Sequence, residues 1–411
     1  MHIILRQRAV FVLALLFATL SARYAHATGP GYTRIYAAAE TAETAYANPA
    51  GMTRFDEKTT SAGAIFFKSF KEFDVDESRS TVDGGDAGDS DPLLIPSYYH
   101  IRPLDENWRF GFAANVTAGF GADNGSSWAG RYYSNEFSMT FISLTPSVAY
   151  PLNDKLSLGL SVPVTFSNTV TNSLINSPVP DAPDGELEVE STDVTASLTI
   201  SSLYEFSKDT RIGLIYRAES DYDSDPDIDI KRYSLPAGVI DKIEGVIDSL
   251  EYNTRLPQSA SFGLFHQLEN DWQITLDAIW IDFSEFGVTE ISIVGQDVSA
   301  PDGNFNDIYA FSVGTRLPVE GDTTWRLGAF YVSPGVDDED RTFSFALDRL
   351  IGIGVGMNRK LASGNFYDLN FNLIDTGKAP IDTGDDPIRG RVVGEGVNHY
   401  AIAIDFAFHW Y

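Results

Sequence analysis

The last fourteen residues, NHYAIAIDFAFHWY, alternate without a break: Tyr400, Ile402, Ile404, Phe406, Phe408 and Trp410 on even positions, with His399, Ala401, Ala403, Asp405, Ala407 and His409 between them. A β-strand sends successive side chains to opposite faces, so this stretch has one face of large apolar groups and one that is small or polar. Helical spacing would scatter the same residues around an axis. The pattern recurs. Leu156, Leu158, Leu160, Val162, Val164 and Phe166 alternate with Ser157, Gly159, Ser161, Pro163 and Thr165, and Ile212, Leu214 and Tyr216 with Arg211, Gly213, Ile215 and Arg217. Trp272, Ile274, Leu276, Ala278 and Trp280 make another such row, and Tyr367, Leu369, Phe371 and Leu373 alternate with Asp368, Asn370 and Asn372. Strands of this kind either bury their apolar faces against each other in a sandwich or turn them outward to lipid in a barrel.

The connections choose between the two. Tight polar turns fall at Asp105-Glu106-Asn107, Asn153-Asp154, Lys208-Asp209, Glu269-Asn270-Asp271, Glu320-Gly321-Asp322 and Ser363-Gly364-Asn365. Long segments rich in Asp, Gly, Pro, Asn and Ser run between them, at roughly 75–92, 118–135, 173–189, 224–254, 293–304, 333–346 and 378–395. Six short turns alternating with seven long loops predict fourteen strands. A sandwich has no reason to gather every long loop at one end. An outer-membrane barrel does: its strand number is even, its periplasmic turns are short and its external loops long. Closure also removes free strand edges, so lipid can surround the sheet. The expected fold is all-β, a 14-stranded antiparallel transmembrane β-barrel over residues 56–411. Tyr400 and Trp410, at opposite ends of the closing strand, then sit in the two interfacial aromatic belts.

Composition is compatible with this without deciding it, since 43% hydrophobic and 21% charged residues suit a soluble chain equally well. At the N-terminus Arg6 and Arg8 precede the apolar run AVFVLALLFATL, and Ala25-His26-Ala27 offers a small-x-small cleavage site. That order is a secretory signal, read here as residues 1–27. The expected destination is the outer membrane of a Gram-negative cell. No later run reaches the roughly 18 apolar residues of a transmembrane helix. A formal charge of −29 argues against nucleic acid, whose phosphates need Lys and Arg. Cysteine is absent, and His100, His266, His399 and His409 form no His-x-x-x-His pair, so neither metal nor cofactor is expected. The acidic runs Asp83 to Asp91 and Asp221 to Asp229 lack the order of an EF-hand loop. They read as solvated external loops, bridged by divalent ions to the anionic headgroups of outer-membrane lipid and lipopolysaccharide.

One segment breaks the alternation: TGPGYTRIYAAAETAETAYANPAGMTRF, Thr28 to Phe55, Ala-rich and closed by Asn48-Pro49-Ala50-Gly51. It is too short to fold alone, and the barrel interior is the place where it can pack. Here the residues resemble a known family. ANPAGMTRF leading into the first strand, WAGRYYSNEF (Trp128 to Phe137), LTPSVAYPLNDKLSLGL (Leu144 to Leu160), RIGLIYRAE (Arg211 to Glu219), LPQSASFG (Leu256 to Gly263) and WRLGAFYVSPGVDDEDR (Trp325 to Arg341) are similar to the FadL-like outer-membrane transporters of long-chain fatty acids, a family that also includes channels for aromatic hydrocarbons. The resemblance implies an N-terminal hatch inside the barrel, here residues 28–55 with Asn48, Pro49, Ala50 and Gly51 at its junction with the wall. It further implies passive uptake: capture by external loops, passage beside the hatch and sideways exit through a kinked strand. The chain departs from the fatty acid branch in a shorter hatch, a short loop at 173–189, and a terminal Tyr411 out of phase with the lipid face.

Apolar residues on the lumen parity are candidates for lining a hydrophobic passage, since a water-filled porin would place polar groups there. They are Ile279, Ile281 and Phe283 on the ninth strand, with Phe265 and Phe330. Arg217 and Arg326 share that parity and are candidates for a carboxylate headgroup, unless they pair with lumen acids such as Asp277 and Asp405. In the loop at 224–254, Val239, Ile240, Ile243, Val246, Ile247 and Leu250 repeat at helical spacing, an amphipathic helix that would offer ligand a greasy face or pack on neighbouring loops. Gly352, Gly354 and Gly356 leave a lumen stripe without side chains, room for the hatch or a ligand. Pro163 removes a ladder hydrogen bond, and Gly119, Phe120 and Gly121 end the third strand irregularly; either place is a candidate lateral opening, and the resemblance favours the third strand.

The leading expectation is a monomeric channel for a hydrophobic small molecule, most of all a long-chain fatty acid. Aromatic hydrocarbon uptake is the alternative, ahead of a polar porin, a sealed adhesin barrel or an outer-membrane hydrolase. An enzyme is not expected, because the histidines lie on separate strands with no local motif.

Overall fold

The computed structural model describes residues 30–87, 92–177, 183–224, 226–231, 250–269, 271–293, 296–298, 304–319, 321–346 and 348–411. Their strands close into a fourteen-stranded antiparallel barrel. In chain order the wall is β1 (Thr59–Ser69), β2 (Leu93–Pro103), β3 (Arg109–Asp123), β4 (Glu136–Pro151), β5 in two pieces (Leu156–Ser161 and Val164–Ile175) and β6 in two pieces (Gly185–Ala196 and Thr199–Ser207). It continues through β7 (Thr210–Arg217), β8 (Ser259–Gln267), β9 (Gln273–Ile281), β10 (Ile308–Pro318), β11 (Thr323–Val332), β12 (Leu350–Lys360), β13 (Phe366–Asp375) and β14 (Tyr400–Trp410). Closure comes from β1, whose Thr60 pairs with Trp410 on one side and with His100 on the other. Among the described residues, the six tight turns fall between the strands where the sequence puts them.

Alternation sets the two faces. Along β14 the even residues from Tyr400 to Trp410 turn outward while Ala401, Ala403, Asp405, Ala407 and His409 are buried. Trp108, Phe206, Trp272 and Trp325 ring the barrel at the short-turn end, and Tyr216, Tyr309, Tyr331 and Tyr400 at the other, all exposed outward. These are the belts expected where a hydrocarbon band meets two polar interfaces. Tyr411 lies beyond the last paired residue, with its ring 6.0 Å from that of Phe366, so Trp410 is the terminal aromatic of the lipid face.

Inside the wall lies the N-terminal segment, with a short helix at Thr44–Ala47 and a 3-10 turn at Pro49–Arg54. It is held by inward-facing polar groups of the strands. Asp277 accepts the backbone N–H groups of Arg34 (2.9 Å), Ile35 (3.3 Å) and Tyr36 (3.2 Å), and Asn372 Oδ1 accepts that of Gly31 at 2.6 Å. Ser201 Oγ accepts the Ala50 N–H at 3.0 Å. In the other direction Arg211 Nε donates to the Ala37 carbonyl and Arg109 Nε to that of Phe55, each at 2.7 Å. Backbone groups taken out of water are thereby satisfied, while Tyr32, Ile35 and Tyr36 pack against Ile65, Phe67, Phe330 and Leu350.

The approach is close because the wall is glycine where the segment runs. A Cβ on Gly213 would stand 2.2 Å from the Tyr36 carbonyl oxygen, on Gly328 1.9 Å from that of Pro30, on Gly354 2.4 Å from the Gly31 nitrogen, and on Gly159 2.2 Å from the Ala50 nitrogen. Gly328 pairs directly with both Gly314 and Gly354 across the sheet. The stripe at Gly352, Gly354 and Gly356 is thus one arc of a longer belt, although Gly352 makes room for the Phe330 ring instead.

Candidate functional site

Above the N-terminal segment the barrel holds a cavity of about 740 Å³, within the range of small-molecule sites. Phe137, Met139 and Phe141 line it from β4, Tyr222 from a strand beyond β7, and Phe286, Phe305 and Phe345 from the long loops. The aromatic groups pack edge to face, with Phe305 and Phe345 ring centroids 5.1 Å apart and Phe286 and Phe345 5.7 Å apart. Its basic groups are engaged: Arg341 donates to Asp338 and to the Pro380 carbonyl, and Arg389 to Asp386.

A narrower cavity of about 100 Å³ lies deeper, between the wall and the N-terminal segment, lined by Tyr36, Tyr46, Pro163, Arg217, Pro257, Ile279 and Ile281. Arg217 is its cation. Its Nη2 donates to the carbonyls of Tyr46 (3.1 Å) and Ala47 (3.4 Å), and its guanidinium lies 5.1 Å from the centroid of the Tyr46 ring. Among the described residues no carboxylate stands within ion-pair distance of it. Ile279 and Ile281 supply the apolar side of this cavity.

Other candidates lie elsewhere. Arg326 is buried below the N-terminal segment and paired with Asp368 at 3.0 Å, rather than with Asp277 or Asp405. Asp277 caps backbone, and Asp405 accepts from Asn372 at 2.7 Å. Phe283 is not on β9, because the strand stops at Ile281 and the chain enters a 3-10 turn, Phe283–Glu285, where its ring stacks on Phe286. Phe265 is buried under the Arg211 guanidinium, 3.6 Å from ring centroid to carbon, and Phe330 packs against Tyr32. Both are covered by the N-terminal segment. Val239, Ile240, Ile243, Val246 and Ile247 fall outside the described residues, and Leu250 begins a strand, Leu250–Leu256, rather than ending a helix.

The wall is interrupted at β3. The β2–β3 ladder runs only from Ser97–Asn115 to Pro103–Arg109, and a bulge at Thr117 bends the rest of β3 away. Gly119, Phe120 and Gly121 then pair with β4 alone. At Pro163 the wall stays shut, because Val162 donates to the Pro146 carbonyl and Ser197 to that of Pro163, each at 3.1 Å.

One arrangement escaped sequence reasoning. His409 Nδ1 lies 2.7 Å from Ser61 Oγ, and its Nε2 3.3 Å from Asp368 Oδ2, with Ser61 also donating to Glu43. The partners come from strands at opposite ends of the chain, so no local motif announces them. All are buried beneath the N-terminal segment, and the group ties that segment's Glu43 to the wall.

Relatives agree with this architecture. The long-chain fatty acid transport protein of Escherichia coli O6:H1 (strain CFT073) is 25% identical, over 91% of this chain and 87% of its own length. A crystal structure of a Pseudomonas aeruginosa FadL homologue superposes with a TM-score of 0.79 at 16% identity, covering 96% of this chain and 98% of that one. The Pseudomonas putida toluene transporter TodX superposes with a TM-score of 0.65 at 16% identity, covering 96% and 99%. The family model for the outer membrane protein transport protein (OMPP1/FadL/TodX) matches residues 16–403. A closed barrel with two aromatic belts, a polar-anchored N-terminal segment inside it and a family match along almost its whole length together make the chain an outer-membrane protein belonging to the OMPP1/FadL/TodX transport family.

Proposed function

We propose that the chain takes up hydrophobic small molecules passively across the outer membrane, long-chain fatty acids first among them. Loops and the large aromatic cavity capture the molecule. It then descends to the narrower cavity beside the hatch, residues 28–55, and leaves sideways through the interruption at Gly119, Phe120 and Gly121 on β3. The protein works as a monomer, its acidic external loops bridged by divalent ions to lipopolysaccharide. The name carried by the Escherichia coli relative supports the substrate class.

The observation that carries the fatty acid reading is Arg217: a cation without an acid partner among the described residues, beside Ile279 and Ile281 in the deeper cavity. A carboxylate arriving there would gain charge-assisted hydrogen bonds, and the chain behind it an apolar wall. Aromatic hydrocarbons are the second reading, favoured by the ring-lined upper cavity, which asks for no charge.

Radiolabelled oleate and toluene uptake by cells with and without the protein tests both, alongside Arg217→Ala. Oleate uptake that falls in the variant supports headgroup capture. Toluene uptake indifferent to it supports the hydrocarbon reading, and transport of neither sinks the proposal for these substrates.

A further inference from the structure

The wall has a second interruption, three strands from the first. The outer piece of β6, Gly185–Ala196, pairs with β5 along its whole length, from Ile175–Gly185 to Val164–Ala196. Its other edge is different. Only Glu186–Glu190 finds a partner, in the returning hairpin strand Asp227–Lys231, and pairing with β7 begins again at Thr199. After Arg217 the chain of β7 leaves β6 and continues as Ser220–Ser224, laddered to Leu250–Leu256 on its far side. Ser191–Ala196 therefore faces Ser220–Ser224 with no ladder between them among the described residues.

The result is a bounded slot. Its lower end is shut by the Ala218 N–H donating to the Leu198 carbonyl at 2.9 Å, and its upper end by the Asp227–Glu190 pair. Six residues of extended chain make it about 20 Å long. The Thr195 hydroxyl reaches across to the Asp221 carbonyl at 3.0 Å, while the Val194 N–H turns back to its neighbour Asp193. Inside, Ser191 and Tyr222, one on each side of the slot, both line the 740 Å³ cavity. Outside, Phe166, Val194 and Leu198 point outward and are exposed, so the rim is apolar. Phe166 pairs with Val194 on one side and with Ile142 on the other, at the outer end of the apolar band of β4 that starts at Tyr150.

Unpaired strand edges are seldom left facing hydrocarbon, because backbone groups there have no water to bond to. An edge at the outer rim, apolar outside and backed by a ligand-sized cavity inside, suits a passage used by molecules with a polar end and an apolar tail. We propose that this slot is a lateral entrance, through which amphiphiles already dissolved in the outer leaflet reach the large cavity without crossing the loops. The inference rests on the uptake reading above, and it separates entrance, between β6 and β7, from exit, at β3.

The chain has no cysteine, so introduced ones are unique. A Ser191→Cys protein carrying a bimane fluorophore, in proteoliposomes with doxyl-stearate in the bilayer, reports arrival at the cavity independently of net transport. Placing a genetically encoded coumarin amino acid at position 191 instead leaves Thr195→Cys and Asp221→Cys as the sole thiols, so that a reducible bis-methanethiosulfonate bridge can close the slot while doxyl quenching is read on the coumarin. Quenching that disappears on bridging and returns with dithiothreitol is the expected result. Quenching unchanged by the bridge overturns the entrance. In cells, the Thr195→Cys/Asp221→Cys protein should lose oleate uptake several-fold on bridging and regain it on reduction. If the unbridged protein moves no oleate at all, the uptake reading fails, while the proteoliposome measurement still decides the slot.

Discussion

Removing the Asp277 carboxylate tests how the N-terminal segment is held. Its two oxygens accept three consecutive backbone N–H groups, from Arg34, Ile35 and Tyr36, at 2.9 to 3.3 Å. A hydrogen bond to a charged group contributes roughly 1.5–3 kcal/mol, so three give at least about 4.5 kcal/mol at the lower figure. The variant recovers part of this, because it no longer buries a carboxylate. A net loss of about 3 kcal/mol for Asp277→Ala is the reasoned value, equivalent to roughly 150-fold in an opening equilibrium. The assay is amide hydrogen exchange of the purified protein in detergent, read at Arg34, Ile35 and Tyr36. These three amides should exchange about two orders of magnitude faster, with Asp277→Asn intermediate. Ala50, whose amide is held by Ser201, should change far less. Unchanged exchange at Arg34 to Tyr36 would refute the anchoring role. A uniform rise across the barrel would show instead that Asp277 supports the wall.

Three further outcomes are expected. Gly328→Val puts side-chain carbon where the Pro30 carbonyl now lies, so the segment must move; bilayer recordings should show a raised ion leak, absent from Gly85→Ala, where a new Cβ meets nothing within 4 Å. Lys71, beyond the end of β1, is lowered by burial to about 8 despite the nearby Asp348 carboxylate. NMR titration of the isotopically dimethylated protein should place its midpoint well below that of exposed lysines, and a shared midpoint would contradict the burial. Asp382, in the external loops, is lowered to about 2 chiefly by hydrogen bonds from Arg391. A depressed carboxylate stabilises above its unfolded value and loses that effect as pH falls through its folded one. Exchange protection in the external strands Glu72–Val75 and Val393–Val397 should thus decline between about pH 4 and pH 2, and less steeply in Asp382→Asn.

The wall was legible in the sequence because its two determinants are local. Parity marks the face of each side chain, and turn residues mark where a strand ends, so Trp272 to Trp280 or Tyr400 to Trp410 could be oriented without any partner in view. What crosses the lumen was not legible. Arg326 and Asp368 share a parity with many other polar residues, and only the register of β11, β12 and β13 sets them 3.0 Å apart. Ser61 and His409 meet only once the barrel closes. Phe283 departs from its parity for the opposite reason: the alternation of the sequence continues past Ile281, where the chain has already turned. The glycine stripe was visible on β12 alone, because its other members stand singly on separate strands and look unremarkable until pairing aligns them.

The belt of glycines and the anchors beside it also dictate an order of assembly. Gly31 bonds to Asn372, 341 residues later in the chain, and Ser61 to His409, 348 residues later. A segment that precedes every strand of the wall is therefore the last to find its place, since its seat does not exist until β13 and β14 have paired and the cylinder has shut. Contacts of such separation carry the full entropy of closing the loop between them. Until then the segment travels as a ligand of an unfinished receptor, and its docking marks a correctly closed barrel.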